Sequence, residues 1–447
     1  MPRLTASAAS VRQGTVAIFA HPRAPRAQGP HAKMGTVPTD NRQANAGAAK
    51  VVSTSMDPFT LVAIVSAAAG VLLAPPIVWL VALRRTRSKK RAAFGVGDMV
   101  SIVVWSLVVL VGKLVIARQF GVHWFGLMHL LFLEMAIIVP WTGLLTLIAA
   151  RWGLPWLGRL AFRRAALVVG WLSLTAVPLA VYARFIEPFW LQTETATLKC
   201  PGLADAERPI TIGVLADLQF SEVTDHERRA ISQMMALRPD IIVVPGDVFQ
   251  GRRAAFKRNL AEIRSLLAAL DAPHGVFLVD GDTDSPARIR QMIRGTKIRF
   301  LDNQIIEIPV RGRTIALAGI ECDYDAGEPV ECIRRLTREH RDADVRILLA
   351  HRPDAVLELT EADRVDLTIA GHTHGGQVCI PLFGPLVTET QVPRRAAAGG
   401  LSVVKGNRLY VSRGVGMERS VTQAPPIRFC CPPEISLLTL TGPAEPR

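Results

Sequence analysis

The run GHTHGGQ at 371–377 carries two imidazoles, His372 and His374, which stand two residues apart and next to glycines. Histidine is a frequent metal ligand, and glycine lets backbone approach a ligand closely. The preceding residues 365–370 have the composition of a buried strand, so both histidines are predicted to follow a strand end. Because the carboxyl ends of strands in α/β sheets are where sites are built, the run predicts part of a metal site.

Four more apolar runs upstream also end in side chains that could bind a cation. Their carboxylate, amide and imidazole groups supply oxygen and nitrogen ligands without a thiolate, which favours Mn, Fe, Zn or Mg over a cysteine-type zinc site. Strands that deliver such groups from one sheet edge predict one shared site. The groups are Asp217 and Gln219 after 210–216, Asp247 after 240–245, Asp282 between Asp280 and Asp284 after 275–279, and His351 after 345–350.

The segment from about 210 to 440 resembles the calcineurin-like metallophosphoesterase superfamily, and within it the membrane-associated, YkuE/YaeI-like phosphodiesterase branch. The GHTHGGQ run carries this resemblance, together with PIRF at 426–429 and PEI at 433–435. The resemblance implies an α/β fold in which a metallophosphoesterase-type two-sheet β-sandwich is flanked by helices.

Within that fold, apolar spacing predicts helices at 225–237 and 258–270 between the strands. The second sheet is expected to include the strand-like stretches 314–318, 408–411 and 435–440.

The resemblance also implies a cofactor of two divalent metal ions around a bridging Asp247. Two such ions clamp a phosphate and lower the pKa of a bridging water, so that no covalent protein nucleophile is needed. Asp247, His351 and His372 are the expected catalytic residues. Gly375 and Gly376 are expected to approach the substrate phosphate, although the pair could also form only a turn. The first metal would take Asp217, Gln219, Asp247 and His374, and the second would take Asp247, Asp282, His351 and His372.

The chain departs from the family pattern at three positions. The family usually has histidine where Gln219 stands, and an Asn-His pair where Asp282 and Thr283 stand. A neutral amide is a poorer ligand than imidazole for Zn, Fe or Mn, whereas Asp282 adds a negative charge. Threonine cannot act as a general acid near neutral pH, and such assistance is typically worth about 10² to 10⁴ in rate. The candidates to replace that acid are Asp225, His226 and His274.

The first half of the chain has a different character. A mean hydropathy of +0.27 is unusual for a soluble enzyme and indicates membrane segments. Four apolar stretches have the roughly 20 residues that a bilayer span requires. A signal peptide is the rival interpretation of the first stretch, but no small-residue cleavage site follows it. The stretches predict four transmembrane helices within 57–185, at 58–83, 99–117, 124–150 and 165–183.

The remaining organisation follows from composition. Residues 1–56 are basic and lack an apolar period, which predicts a disordered tail, and Met56 is an alternative start. Residues 186–209 are predicted to be a linker, and 210–441 the metallophosphoesterase domain.

The charge distribution predicts an orientation. The net charge is +14, and basic residues crowd the loops 84–91 and 151–164. The positive-inside rule places these loops in the cytoplasm. The prediction is therefore a multi-pass protein of the inner or plasma membrane with its catalytic domain on the periplasmic or extracellular side. Because the basic clusters flank spans, the lipid bilayer is the expected partner and no nucleic acid is expected.

Two further groups of residues invite interpretation. Glu134 lies within the third span and is predicted to order the helix bundle rather than to carry protons; Lys113 is expected to snorkel to the interface. All six cysteines follow residue 199, and none has metal-ligand spacing. In an oxidising compartment, Cys322 and Cys332 would be the pair favoured by proximity.

The sequence thus predicts a membrane-anchored, metal-dependent phosphoesterase that uses a metal-bound hydroxide. The resemblance favours phosphodiester substrates, and the anchor favours lipid-linked or envelope substrates. One alternative is a catalytically impaired membrane protein that binds metal or phosphate, because Gln219 and Thr283 replace the usual histidines. Another is a phosphomonoesterase that acts on proteins or small molecules.

Overall fold

The computed structural model describes residues 108, 110–119, 122, 124–152, 160–204, 208–325, 327–419 and 425–443, all within one compact unit at Ser55–Arg447. The predicted tail at 1–56 and the predicted span at 58–83 lie outside the described residues. The first half of the span predicted at 99–117 lies outside them as well.

Two six-stranded sheets form the centre of the region after residue 190. The strands are β1 Gln192–Lys199, β2 Ile210–Val214, β3 Ile241–Pro245, β4 Val276–Val279, β5 Ile298–Phe300, β6 Gln304–Val310, β7 Arg313–Gly319, β8 Val345–Leu349, β9 Leu367–Ala370, β10 Cys379–Ile380, β11 Gly384–Pro385, β12 Gly400–Val404, β13 Asn407–Val411 and β14 Glu434–Thr441. The first sheet has the order β1-β14-β2-β3-β4-β5, and the second has β12-β13-β9-β8-β7-β6. Strands β2 to β5 are parallel, and so are β7, β8, β9 and β13.

Alternation of side chains along the strands explains how the sheets pack. In β3, Ile241 and Val243 enter a buried cluster that also contains Ile347 of β8, so this core lies between the sheets. Ile242 and Val244 enter a second core beneath the helices of the first sheet. Since successive side chains of a strand point to opposite faces, a strand covered on both sides is apolar throughout. The predicted α/β architecture of two sheets flanked by helices is confirmed.

Amphipathic helices cover the outer faces of both sheets. The predicted helix at 225–237 is observed as Asp225–Ala236, and a capping box of Thr224 and Glu227 begins it. The helix predicted at 258–270 begins earlier because Phe256 already packs in the core. The helices of this region are Asp225–Ala236, Arg253–Leu267 and Pro286–Met292 on the first sheet, and Glu328–Glu339 and Arg394–Ala397 on the second.

Two assignments of strands were wrong. The stretch 435–440 was expected in the second sheet, but β14 lies in the first, between β1 and β2. The predicted linker at 186–209 contains β1, which pairs in parallel with β14 over its whole length. Composition failed here because β1 is a polar edge strand, whose side chains alternate between half-buried and exposed without an apolar run. Polar side chains on an edge strand protect a sheet from pairing with other chains.

Two apolar helices precede β1, and each is long and apolar enough to cross a membrane: Trp124–Ile148 and Ala166–Phe189. Together they are called the apolar helix pair below. They agree with the predicted spans at 124–150 and 165–183. Small residues bring the two helices together, since a Cβ added to Gly143 would come within 2.5 Å of the Ser173 side chain. Of the four predicted spans, the described residues contain these two in full.

An ion pair agrees with the predicted ordering role of Glu134 and corrects the interpretation of Lys113. Lys113 Nζ lies 2.7 Å from Glu134 Oε1, and both side chains are mostly buried. Glu134 therefore has a basic partner at its own depth, and Lys113 does not extend alone to an interface. Glu134 also begins a π-helical turn, Glu134–Ile138, a local widening found often at functional positions in helices.

The predicted pairing of two cysteines was also wrong. Cys322 and Cys332 are free thiols. Cys332 packs in the apolar core beneath the second sheet, whereas the Cys322 Sγ faces Asp282 Oδ1 at 3.5 Å. Nearness in sequence therefore did not bring the two thiols into contact.

Candidate metal centre

The site forms where strands of both sheets end along one edge of the sandwich. Strands β2, β3 and β4 end before Asp217, Asp247 and the 280–284 loop. Strands β8 and β9 of the second sheet end before His351 and the 371–377 run. Parallel strands share the position of their carboxyl ends, so residues far apart in sequence meet there.

One group of ligand atoms is formed by Asp282, His351 and His372, which lie within 4.8 Å of one another. The Asp282 Oδ2 atom is 2.7 Å from His372 Nδ1 and 3.3 Å from His351 Nε2. Each imidazole is oriented through its other nitrogen. His351 Nδ1–H donates to the Pro245 carbonyl at 2.8 Å, and His372 Nε2–H donates to the Glu389 carbonyl at 3.2 Å. Such backbone contacts fix the tautomer of a metal-binding histidine and turn the free nitrogen toward the ion.

A second group is formed by Asp217, Asp247 and His351, again within 4.8 Å of one another and all buried. His351 belongs to both groups, and its Nε2 lies 3.6 Å from Asp247 Oδ2. Both oxygens of Asp217 accept the backbone N–H of His372 at 3.1 Å. Five predicted ligands, from two sheets, are thus brought together.

Gln219 lies against the same carboxylates. Its Nε2–H₂ group donates to Asp247 Oδ2 at 2.8 Å and to Glu418 Oε2 at 3.0 Å. Its Oε1 atom is buried and has no hydrogen-bond partner among the described residues. The amide thus keeps one oxygen available at the edge of the site.

His374 is placed differently from the other predicted ligands. Its ring is buried, its Nδ1 has no hydrogen-bond partner among the described residues, and it belongs to neither group of close ligand atoms. Burial lowers the pKa of His374 well below its ordinary value, and the nearby Arg428, His372 and His351 lower it further. A neutral imidazole with an unpartnered nitrogen is the form that binds a metal.

Thr283, which stands where the family has histidine, holds the carboxylate of Asp247. Its backbone N–H and its hydroxyl both donate to Asp247 Oδ1, at 2.8 Å and 3.1 Å. Thr283 therefore orients Asp247 and supplies no acid.

The candidates for a replacement acid are not placed for that role. His274 lies before β4, at the end of the sheet opposite the site, where its backbone N–H donates to the Asp240 carbonyl. His226 is buried, and its Nε2 contacts the Val415 carbonyl at 3.0 Å. Asp225 lies in the first turn of its helix. Within the described residues, none of the three makes a contact with the two ligand groups.

Backbone strain marks the same loops. Positive φ angles, between 39° and 72°, occur at Asp217, Gln219, Asp247, His372 and His374. Such a conformation costs a non-glycine residue about 1–3 kcal/mol, and it clusters at functional sites. The fold therefore maintains an unfavourable backbone at five of the seven predicted ligands.

Glycines allow the carboxylates to sit against backbone. A Cβ at Gly281 would come within 2.2 Å of Asp247 Oδ1, and one at Gly371 within 2.6 Å of Asp217 Oδ2. Gly375 and Gly376 are themselves buried, and a Cβ there would meet Cys431 Sγ at 2.7 Å or Pro385 at 2.4 Å. Packing alone therefore requires both glycines, and their contact with a substrate phosphate stays a prediction.

Burial and mutual repulsion act on the carboxyl groups of the site. Burial raises the pKa of Asp217 to about 7, and repulsion from Asp247 contributes. Burial and Asp247 likewise raise the pKa of Asp284 to about 7. Burial opposes the charged form of Asp282 too, but hydrogen bonds from His351 and His372 hold its pKa well below the ordinary range. Carboxylates crowded in this way are stabilised when cations lie between them.

The residues present therefore fit divalent metal ions. The donor atoms are carboxylate oxygens and imidazole nitrogens, with the orphaned Gln219 Oε1 and His374 Nδ1 beside them. This set suits Mn, Fe, Zn or Mg.

Two side chains that support the site, Arg352 and Glu418, were not predicted from the sequence, and Asp284 was named there only beside Asp282. The Arg352 guanidinium donates to Asp282 Oδ1 and offsets the negative charge that Asp282 adds. Glu418 accepts from Gln219 and from Gln250 Nε2, at 2.9 Å for the latter. Asp284 accepts the Val248 N–H at 3.0 Å. Arg352 directly follows a predicted ligand, which was an available signal, whereas Glu418 follows no strand-like run.

The apolar helix pair contacts the site directly. The ring of Phe125, at the start of the first helix, meets the His374 ring edge-on with centroids 6.2 Å apart. At the end of the second helix, Glu187 is buried and accepts the backbone N–H groups of Cys430 (at 2.9 Å) and Cys431. The Cys431 thiol in turn donates to the His374 carbonyl at 3.3 Å. The metal-binding loop and both apolar helices therefore share one packed region.

Comparison with known proteins agrees with this geometry. A family model described as calcineurin-like phosphoesterase matches residues 210–376. The metallophosphoesterase YkuE of Bacillus subtilis is 30% identical over 268 residues, which cover 58% of this chain and 88% of that protein. A metallophosphoesterase of Aquifex aeolicus is 28% identical over 278 residues, 60% of this chain and 98% of the relative. The phosphodiesterase YaeI of Escherichia coli is 28% identical over 272 residues, 58% of this chain and 92% of the relative.

These matches run along most of each relative's length and include the strand ends that carry the ligands. The chain therefore belongs to the calcineurin-like metallophosphoesterase family, in its YkuE/YaeI-like branch, and is a hydrolase of phosphate esters.

Proposed function

We propose that the protein is a membrane-anchored, metal-dependent phosphodiesterase whose substrates are phosphodiesters of lipids or of other envelope components. The observation that carries the proposal is the position of the ligand cluster beside the apolar helix pair, with Phe125 against His374. A site so placed favours substrates that are held at a bilayer surface.

The residues of the site have different roles in this proposal. Asp217 and Asp247 would hold one divalent ion, and Asp282, His372 and the free Nε2 of His351 would hold the other. When bound, such ions stabilise charge on phosphoryl oxygens and make a coordinated water more acidic. Thr283 keeps the Asp247 carboxylate in place through its backbone N–H and its hydroxyl.

The same residues favour one kind of substrate. With threonine at 283, no side chain at that position protonates a departing alkoxide, so the less basic leaving groups are favoured among the phosphodiesters proposed as substrates. The name of the relative YaeI, a phosphodiesterase, supports diesters over monoesters.

The loop charges support an orientation. Basic residues in the predicted loops 84–91 and 151–164 favour the cytoplasm for both, which would place the catalytic domain on the periplasmic or extracellular side. A reporter enzyme that is active only outside the cytoplasm, fused after residue 443, should be active. An inactive fusion that is stably produced would contradict this orientation.

The function is tested by hydrolysis of a bis-aryl phosphodiester with Mn²⁺. We expect turnover by the purified chain, and a loss of at least about 100-fold in His372→Ala, because His372 both binds metal and orients Asp282. His340→Ala is the matched control, since His340 contacts Glu307 away from the site. Equal activity of the His372 variant and the control would contradict the assignment. An aryl monoester assayed in parallel separates a monoesterase from a diesterase.

A metal-binding protein without turnover is the second candidate, and Gln219 favours it. Its Nε2 donates a hydrogen bond to an oxygen of Asp247 that a cation would otherwise use. Metal content decides whether the centre exists at all: Asp247→Ala should bind less metal than the native chain, whereas Asp271→Asn, in an exposed ion pair, should not. Bound metal in the native chain without hydrolysis of either aryl ester would support this second candidate.

A further inference from the structure

A small apolar hairpin projects from the loop that follows the metal-binding run. Its strands β10 and β11 are antiparallel, and residues 381–383 form the turn. Ile380 is 44% exposed, Phe383 is 61% exposed and Leu382 is fully exposed. Among the described residues 192–443, five large apolar side chains are exposed, and three of them are on this hairpin. A contiguous exposed apolar patch is typical of an interaction surface.

The residues that flank the hairpin on both sides pack against the apolar helix pair. Val378 precedes β10 and Val387 follows β11, and both pack against a buried cluster that contains Phe125 and Met128. These two residues lie in the first turns of the helix Trp124–Ile148. The hairpin therefore starts beside the end of a candidate membrane span.

The surroundings of the tip suit a bilayer surface. The guanidinium of Arg394 lies over the Phe383 ring, 5.1 Å from its centre, and Arg394 and Arg395 are exposed. One exposed carboxylate, Glu389, is nearby in sequence. Aromatic rings and arginines at the ends of spans are characteristic of the membrane interface, where the guanidinium meets lipid phosphates.

We propose that residues 380–383 insert into the bilayer around the apolar helix pair and hold the metal centre against the phosphodiester headgroups of that bilayer. The link to the centre is short, because the Cys379 thiol donates to the Gly375 carbonyl at 3.2 Å. The inference rests on the proposed function for its substrate, but the position of the hairpin does not depend on turnover.

The position is tested first, without any assay of activity. The full chain is reconstituted in phospholipid nanodiscs with a photoreactive benzoylphenylalanine at position 383 or, as matched control, at position 403. Val403 is 66% exposed on β12, at the edge of the second sheet. Light should attach lipid to the first protein and not to the second, as measured by mass spectrometry. Equal lipid attachment at both positions, or attachment of position 383 to a second copy of the chain, would overturn the proposal.

The role in substrate selection is tested by a pair of double variants. Leu382→Asp with Phe383→Asp should lower hydrolysis of vesicle-embedded phospholipid diesters at least about 10-fold and leave a soluble bis-aryl diester within about 2-fold. Leu401→Asp with Val403→Asp, which changes another exposed apolar pair, should leave both rates unchanged. An equal loss on both substrates, or no loss on vesicles, would overturn this role. If the native chain hydrolyses neither substrate, the proposed function fails, and the photochemical result still decides where the hairpin lies.

Discussion

At the scale of single residues, Gln219 gives the site its individual character. Its amide nitrogen is committed to Asp247 and Glu418, whereas its oxygen is buried without a partner in the described structure. A buried acceptor without a partner costs free energy unless an ion or a water meets it. We infer that the amide serves as a weak oxygen ligand and that the site binds its first ion less tightly than a histidine-containing site would.

Replacing this amide by imidazole should strengthen metal binding. Gln219→His is expected to lower the dissociation constant for Mn²⁺ or Zn²⁺ by roughly 10-fold or more, because imidazole is the better ligand for these ions. Isothermal titration of the metal-depleted full chain measures the change. Gln291→His, on an exposed helix surface, is the control. An unchanged constant would mean that position 219 does not reach the ion.

The ligands that could be predicted from the sequence are those that directly follow an apolar, strand-like run. Asp217, Asp247 and His351 each follow an apolar run, so a strand end and a donor group coincide. Glu418 follows no such run and meets Gln219 only because the chain returns after 199 residues. Contacts of that range depend on tertiary packing, which no local spacing encodes.

At the scale of elements, the apolar strands could be predicted from the sequence, but the strands with which they pair could not. A run such as 241–245 must be a buried strand because it is apolar on both faces. The stretch 435–440 has the same local character in either sheet, so its pairing with β1 and β2 could not be read from it. The polar β1 has no apolar run at all.

The end of the sheet opposite the metal centre depends on one carboxylate. Asp240 accepts the Thr211 N–H at 2.8 Å and the Thr211 hydroxyl at 2.9 Å, and it pairs with Arg311. Burial would raise the pKa of Asp240, but the hydrogen bonds from Thr211 and Arg311 outweigh it and lower the pKa below its ordinary value. This carboxylate joins the starts of β2 and β3 to the turn between β6 and β7.

Its contribution should fade in acid. A carboxyl whose pKa is lower in the folded than in the unfolded state stabilises above the unfolded pKa, about 3.9, and loses that effect as pH falls through the folded pKa. Asp240→Asn should therefore cost about 1–3 kcal/mol at pH 7 and progressively less below pH 4. Thermal unfolding in detergent at both pH values measures this, with exposed Asp342→Asn as control. A cost that did not shrink in acid would mean that the charge of Asp240 is not what stabilises the fold.

At the scale of the whole molecule, the apolar helix pair and the catalytic region are built into each other. The Arg428 N–H donates to the Ala183 carbonyl at 2.9 Å, and Glu187 receives the N–H groups of Cys430 and Cys431. The sequence predicted a linker here because an apolar run shows where a helix ends. It does not show which residues that helix contacts in the folded chain.

Removing the Glu187 charge tests this coupling. Glu187→Gln keeps the shape of the side chain but replaces one of the two carboxylate oxygens by an amide nitrogen, which cannot accept a backbone N–H. The substitution should therefore lower the free energy of unfolding by about 1–3 kcal/mol. Because Cys431 contacts the His374 carbonyl, the variant should also retain less metal. Thermal unfolding and metal content of the full chain are the measurements. Glu222→Gln, in an exposed ion pair with Arg258, is the control, and equal behaviour of the two variants would argue against coupling.

The buried position of Glu187 bears on whether proteolysis could release an active catalytic region. Many anchored surface enzymes are shed by a single cut beside the last span and then work at a distance. A cut between Glu187 and β1 would separate Glu187 from the 427–431 loop, whose backbone N–H groups it accepts. The released fragment would expose the apolar contacts left by Phe125 and Met128. If the apolar helix pair anchors the protein as proposed, such a hydrolase would act where it is anchored, and proteolysis would end its activity rather than disperse it.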